Sequence, residues 1–97
     1  MNTLNLEGTK NLKLDNGNEI LLSYYLMEWG KKENREMLYG IQIEKKDGEN
    51  IEVENSGCIS HSKDFVLELL HKMVENTVTP ITMLYIIDDV ITEKLCS

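Results

Sequence analysis

Two cysteines and two histidines are the residues of this chain whose types and spacing could do chemistry. Cys58 and His61 are separated by two residues, the spacing of half a zinc site, and His71 and Cys96 are the other candidate ligands. A structural zinc site usually combines two close pairs of ligands, whereas His71 and Cys96 belong to no such pair. We therefore predict no metal, and we keep a metal- or small-ligand-binding site at Cys58, His61 and His71 as the alternative hypothesis.

Cys58 could also act as a nucleophile, because it precedes a predicted helix whose N-terminus would favour the thiolate, with His61 as the nearby base. However, no Asn or Asp is placed by the sequence to orient that histidine. Asp88 and Asp89 are adjacent, so on a helix their side chains diverge by about 100° and cannot share a proton. We therefore predict that the protein is not an enzyme and carries no catalytic residue and no cofactor.

The charge balance argues against nucleic acid as a partner. The chain has 97 residues, with ten Lys and Arg against 17 Asp and Glu, a formal net charge of -7. Its local cationic cluster, at residues 31–35, is interrupted by Glu33 and followed by Glu36. An anionic backbone would be repelled by such a surface, so we predict no nucleic-acid binding. An acidic inhibitor of a cationic partner is a further reading, and it predicts binding that weakens steeply with salt.

Cysteine content and hydropathy indicate a compartment. Two cysteines, one of them next to the last residue, do not form a disulfide framework. The N-terminus lacks a cationic segment followed by an apolar core, and no run approaches the roughly 18 apolar residues that a membrane span requires. These features predict a cytoplasmic protein without membrane contact.

The first half of the chain has the alternating pattern of antiparallel strands. Two turns rich in Asp, Asn and Gly, at 15–18 and 47–50, separate these strands. Strands are predicted around Leu12 and Leu14, at 19–29, at 36–46, and around Ile51 and Val53. Residues 1–8 are predicted as either an edge strand or an arm.

The second half predicts two helices, because its apolar period changes from two to about three and a half. Helix 1 is predicted at 62–76, with Ser62 as the N-cap. Helix 2 is predicted at 80–94, with Thr79 as the cap and Pro80 in the first helical position, where a missing N–H is tolerated. Helix 2 is so apolar that it should pack on two sides.

These elements predict a single α+β domain over residues 1–97, a two-layer sandwich in which an antiparallel meander of about four strands, at 10–56, is covered on one face by both helices. The face under the helices is expected to carry six apolar residues, namely Leu12, Leu14, Tyr39, Ile41, Ile51 and Val53.

Three segments carry a resemblance to a known family: Tyr39-Gly40-Ile41-Gln42-Ile43-Glu44, Val78-Thr79-Pro80-Ile81 and Ile87-Asp88-Asp89-Val90-Ile91. Over roughly residues 36–92 the chain resembles a family of small uncharacterised proteins, a domain of unknown function, from clostridia and related Firmicutes. The resemblance implies a bacterial, cytoplasmic source, and it implies no catalytic residue.

The second strand carries large apolar residues at consecutive positions, which a sheet with one wet face does not need. If Ile20, Leu22, Tyr24 and Leu26 face the helices, an apolar patch remains on the other side; the inverted register also leaves apolar groups outside. We predict that this patch is an interface, in a homodimer or with another protein. The predicted anchors are Leu21, Tyr25, Met27, Trp29 and Leu38, with Tyr85 of helix 2 as a further contributor. Alternatively, helix 2 or the N-terminal arm covers the patch.

Overall fold

The protein is a four-stranded antiparallel sheet followed by two helices. The structure, a computed structural model, describes residues 2–30 and 37–96, with side chains at 3–30 and 37–89. In chain order the elements are β1 (Asn2–Lys13), β2 (Glu19–Gly30), β3 (Met37–Asp47), β4 (Asn50–Asn55), α1 (Lys63–Glu75) and α2 (Pro80–Cys96). The strands lie in the order β1-β2-β3-β4, so the predicted meander and α+β class are confirmed. The predicted cationic cluster at 31–35 lies outside the described residues.

Glycines at positive φ make both described hairpin turns. Gly17 has φ of 88° in the turn between β1 and β2, where the Asn16 side-chain oxygen also accepts a hydrogen bond from the Asn18 N–H at 3.0 Å. Gly48 has φ of 62° in the turn between β3 and β4. Residues with a Cβ rarely adopt such angles, so the turn composition that predicted these hairpins also has a steric role in forming them.

A bulge divides β1 into two halves. Leu6 pairs with Tyr25 while Gly8 pairs with Tyr24, so Glu7 is an extra residue without a partner in β2. An extra residue reverses the alternation of side chains along a strand. Residues of the same parity therefore point to one side of the sheet before Glu7 and to the other side after it.

The bulge determines where the leucines of β1 lie. Leu12 points towards the helices and packs against the core, whereas Leu4 and Leu6 point away from them. The first eight residues, for which an edge strand or an arm was predicted, are thus an edge strand from Asn2 onwards. At the bulge, a Cβ on Gly8 would lie 3.1 Å from a methyl carbon of Val74 in α1, so this glycine allows the helix to approach the strand closely.

Both helices cover the same face of the sheet. Helix α1 lies over β1, β2 and β3, and α2 lies over β3 and β4. The core between the layers is apolar throughout, with no buried polar or charged residue among those described. It consists of Ile20, Leu22, Tyr24, Leu26, Ile41, Ile43, Val66, Leu70, Met73, Val78, Met83 and Ile87.

The capping residues set the ends of α1 at Lys63–Glu75, one residue inside the predicted 62–76 at each end, whereas α2 runs to Cys96, two residues beyond the predicted 80–94. The Ser62 hydroxyl accepts a hydrogen bond from the Phe65 N–H at 3.3 Å at the start of α1. Asn76 forms the C-cap, with its backbone N–H bonded to the Lys72 carbonyl. Thr77 follows with φ of 53°, an uncommon angle for a β-branched residue, and reverses the chain towards α2.

Three residues predicted beneath the helices lie elsewhere. Leu14 lies in the first turn, beyond the end of β1, and is exposed. Ile51 and Val53 point away from the helices, because the two-residue turn after β3 sets Ile51 opposite Lys46 and Val53 opposite Glu44. Directly paired residues lie on the same face of a sheet, so the alternation of β3 determines that of β4.

The molecule is flat, because one helical layer covers one sheet. It measures 51 × 31 × 19 Å, and its radius of gyration is 14.5 Å. A more spherical chain of this length would have a radius of gyration of about 12–13 Å. No helix in the described part of the chain is long and apolar enough to cross a membrane.

Candidate protein interaction surface

The side of the sheet away from the helices, which we call the open face, carries a large set of apolar side chains. In β2, Ile20, Leu22, Tyr24 and Leu26 are buried under the helices, so the alternate residues of that strand lie on the open face. The strand pairing then assigns the residues of the other strands. The apolar residues of the open face are Leu4, Leu6, Leu21, Tyr25, Met27, Trp29, Leu38, Ile51 and Val53.

The five predicted anchors share this face but differ in exposure. Leu21 is 39% exposed, and Tyr25, Trp29 and Leu38 are half-buried by their neighbours on the sheet. Met27 is only 6% exposed, so it forms the floor of the face and is not an accessible contact residue. Its register partners are Leu4 in β1 and Gly40 in β3.

Four further residues of the open face were missed by the sequence analysis. Leu4, Leu6, Ile51 and Val53 are between 46% and 57% exposed, more than any of the five predicted anchors. A signal existed for the pair in β4, since the tight turn after β3 determines the register. For the pair in β1, Gly8 within a strand pattern was the indication of a bulge.

A cleft lies at one end of the open face. Its volume is about 380 Å³, and its lining combines apolar and amide side chains, from Thr3, Leu4, Met27, Trp29, Gln42 and Asn55. In the described residues, the Gln42 side chain makes no hydrogen bond, whereas the Asn55 side-chain oxygen accepts one from the Gly57 N–H at 3.2 Å. The cleft is therefore apolar at its floor and has amide groups at its margin.

The chain that leaves β4 remains bonded to β3 beside this cleft. The Ser56 hydroxyl accepts a hydrogen bond from the Ile41 N–H at 2.9 Å and donates one to the Gly57 carbonyl at 2.8 Å. That carbonyl lies so close to Gly40 that a Cβ on Gly40 would be 2.1 Å from its oxygen. Only a glycine at position 40 therefore allows this path of the chain.

The charges of the open face balance, although the chain as a whole is acidic. Among the paired strand residues, two lysines, Lys13 and Lys46, and two glutamates, Glu19 and Glu44, lie on this face. Their formal charges sum to zero, against -7 for the whole chain. The excess of negative charge therefore lies outside the paired residues of the open face.

The residues of the alternative metal site do not come together. The described residues include no group of three or more His, Cys, Asp and Glu side chains that could hold a metal ion. Cys58 is an exposed free thiol, and His61 places its Nδ1 3.3 Å from the Met37 carbonyl. His71 is exposed on α1, and the side chain of Cys96 lies outside the described residues.

Helix α2 packs on one side only in its described part. Met83 and Ile87 enter the core, whereas Ile81, Leu84 and Tyr85 remain exposed, Tyr85 by 70%. The second packing side predicted for this helix therefore has no partner among the described residues. Because α2 lies in the helical layer, Tyr85 is not part of the open face, contrary to its predicted contribution, and α2 does not cover that face.

Comparison with known proteins gives a family and no function. No curated protein and no solved structure matches the chain. One family model matches residues 3–93, a range that includes all four strands almost completely, α1, and most of α2. The chain therefore belongs to the family of unknown function DUF6514.

Proposed function

We propose that this protein is a non-enzymatic interaction module that forms a homodimer by packing two open faces against each other. The observation that carries the proposal is the set of nine apolar residues on the open face, four of which are about half exposed. Sheets that pack face to face lie about 10 Å apart and interdigitate such side chains. A second copy of the chain supplies a matching surface.

The area of the open face supports a dimer. Strands of 12, 12, 11 and 6 residues make up the sheet. At about 3.3 Å per residue and about 4.8 Å between strands, these lengths give a face of roughly 650 Å². A standard stable interface buries about 800 Å² on each partner, so the open face supplies most of that area and the rims supply the remainder.

The charge of the open face also supports a second copy as the partner. Two chains of charge -7 repel one another on most approaches, and the repulsion is smallest where the facing surfaces are neutral. Lys46 and Glu44 on one copy are also available to pair with the opposite charges of the other.

The setting that we propose is a bacterial cytoplasm. The exposed free thiol of Cys58 is compatible with a reducing compartment. The bacterial source is an expectation from the family resemblance, and it is independent of the dimer. Fractionation of cells that encode the protein, probed with an antibody, would test the cytoplasmic location, and recovery of the protein outside the cytoplasmic fraction would contradict it.

The experiment that tests the dimer is light scattering after size exclusion, over a dilution series at two salt concentrations. The expected mass is twice 11.2 kDa, with little dependence on salt because the contacts are apolar. Trp29→Glu and Tyr25→Glu should each give a monomer that keeps its far-ultraviolet circular dichroism. Tyr85→Glu, on the opposite layer, is the matched control and should remain a dimer.

Two outcomes would overturn the proposal. A wild-type chain that remains a monomer at all concentrations would exclude self-association and assign the open face to another protein. A cooperative loss of folding in Trp29→Glu, together with an unchanged mass for Tyr25→Glu, would identify Trp29 as a core residue and not a contact.

A further inference from the structure

The outer side of β1 is an edge of the sheet. In the strand order, β1 is the first strand and pairs only with β2 among the described residues. An edge strand presents a row of N–H and C=O groups that can pair with another strand. Proteins usually protect long edges with charges, prolines or bulges.

The first half of this edge lacks these devices. The segment Asn2–Leu6 contains no charged residue and no proline, and its side chains from Thr3 onwards are exposed. The second half is different, because it begins with the bulge at Glu7 and carries Lys10 and Lys13.

The opposite edge of the sheet is also protected. Strand β4 has only six residues and carries Glu52 and Glu54, which would repel a second copy placed against it. Of the two edges, the segment Asn2–Leu6 is therefore the one best suited to strand pairing.

We propose that Asn2–Leu6 pairs in antiparallel orientation with the same segment of a second copy, with the two-fold axis at Leu4. This register sets Leu4 opposite Leu4 and Thr3 opposite Asn5 of the other copy, and it brings no charges together. A register centred on Lys10 would set two lysines opposite each other, which is unfavourable. The bulge at Glu7 ends the regular pairing after Leu6.

This contact goes beyond the face-to-face dimer, because it uses backbone groups at the sheet edge. Directly paired residues share a face, and Leu4 lies on the open face. The two open faces therefore lie on the same side of a joined eight-stranded sheet and form one continuous apolar surface. The edge contact is the smaller and weaker of the two, so it joins two face-to-face dimers only at concentrations above those of the dilution series, and disulfide capture detects it when the mass does not.

Disulfide capture tests the edge register. In a Cys58→Ser/Cys96→Ser background, Thr3→Cys and Asn5→Cys proteins are purified separately, mixed and oxidised. Paired positions across antiparallel strands have Cα atoms about 4.5–5.5 Å apart, within the range that a disulfide spans. We expect the mixture to give a covalent dimer in several-fold higher yield than either protein alone.

The controls separate this contact from the face-to-face dimer. Thr3 and Asn5 lie on the helical side of the sheet, since their register partners are Glu28 and the buried Leu26, so face packing does not bring them together. Thr3→Cys mixed with Asn11→Cys is the matched control for random collision. The captured dimer should persist when Trp29→Glu is added to both proteins.

Cross-strand pairs alternate between two hydrogen-bonding types, so one of two adjacent pairs always has the closer geometry. Leu4→Cys in the Trp29→Glu background therefore provides the second measurement, and it should crosslink to itself. Equal yields from the mixture and from the Asn11→Cys control, together with no Leu4→Cys dimer, would overturn the edge contact while leaving the face-to-face dimer untouched.

Discussion

The hydroxyl of Tyr24 donates a hydrogen bond to the backbone carbonyl of Val78 at 2.9 Å, in the interior of the protein. Tyr24 lies in β2 and is completely buried, whereas Val78 belongs to the segment between α1 and α2. This single contact ties the sheet to the point where the helical layer reverses direction. Burial also raises the pKa of the Tyr24 phenol to about 12.

Removing this hydroxyl should destabilise the fold. Tyr24→Phe leaves the ring in the core but removes the donor to the Val78 carbonyl, and an unsatisfied buried acceptor costs about 1–3 kcal/mol. We expect urea denaturation to show a lower midpoint with an unchanged slope. Tyr85→Phe, at a 70% exposed position, is the control and should change the midpoint little. Equal effects of the two substitutions would contradict the role of the hydrogen bond.

Stability should fall in strongly alkaline solution. The pKa of Tyr24 is about 12 in the folded protein and 10.0 for an ordinary tyrosine, so the folded state holds its proton more tightly. The stabilisation is complete below pH 10 and is lost as the pH rises through the folded pKa. Between pH 10 and about pH 12 the free energy of unfolding should decrease by as much as about 2–3 kcal/mol. Denaturation of Tyr24→Phe over the same pH series should show a shallower decline.

Adding one methyl group at Gly40 should be strongly destabilising. Its Cβ would lie 2.1 Å from the Gly57 carbonyl oxygen, a backbone atom that can move only with the chain from β4 to α1. We expect Gly40→Ala to lower the free energy of unfolding by about 2 kcal/mol or more. Gly30→Ala is the control, since within the part of the chain that the structure describes its Cβ would meet only the flexible Met37 side chain, at 3.3 Å. Thermal melts of both variants would measure the difference.

Substitutions at Gly8 and Val74 should have coupled effects on the free energy of unfolding. A Cβ on Gly8 would lie 3.1 Å from one Val74 methyl carbon and 3.3 Å from the other. Gly8→Ala and Val74→Ala should each destabilise, the first by crowding and the second by leaving a gap. The double variant should be more stable than the sum of the single effects predicts, by at least about 0.5 kcal/mol. Strict additivity would mean that α1 does not rest on β1 at this point.

Much of the fold could be predicted because local signals and tertiary structure agree. Helix α1 begins and ends at its capping residues Ser62 and Asn76, and the run from Glu19 to Trp29 reads as a strand because its pattern matches its burial. The sequence left the orientation of β2 open between two registers, and the structure has the one that buries Ile20, Leu22, Tyr24 and Leu26.

The composition of the open face was predicted only in part. Ile51 and Val53 were predicted to lie under the helices because apolar residues of a half-wet strand usually face the core. However, the turn after β3 sets their direction through Lys46 and Glu44. The direction of Leu4 and Leu6 depends on an unpaired residue at position 7, which alternation alone does not reveal. The interface itself is a proposal that the dilution experiment decides.

The unpaired Glu7 divides β1 into two parts whose side chains alternate in opposite phase. Upstream of Glu7 the even-numbered residues lie on the open face, and downstream of it the even-numbered residues lie under the helices. Shortening the strand by that single residue would keep Leu6 opposite Tyr25 and Gly8 opposite Tyr24. Substitutions at Leu4 and Leu6 can therefore follow the demands of a partner without reaching the core, which Leu12 contacts from β1.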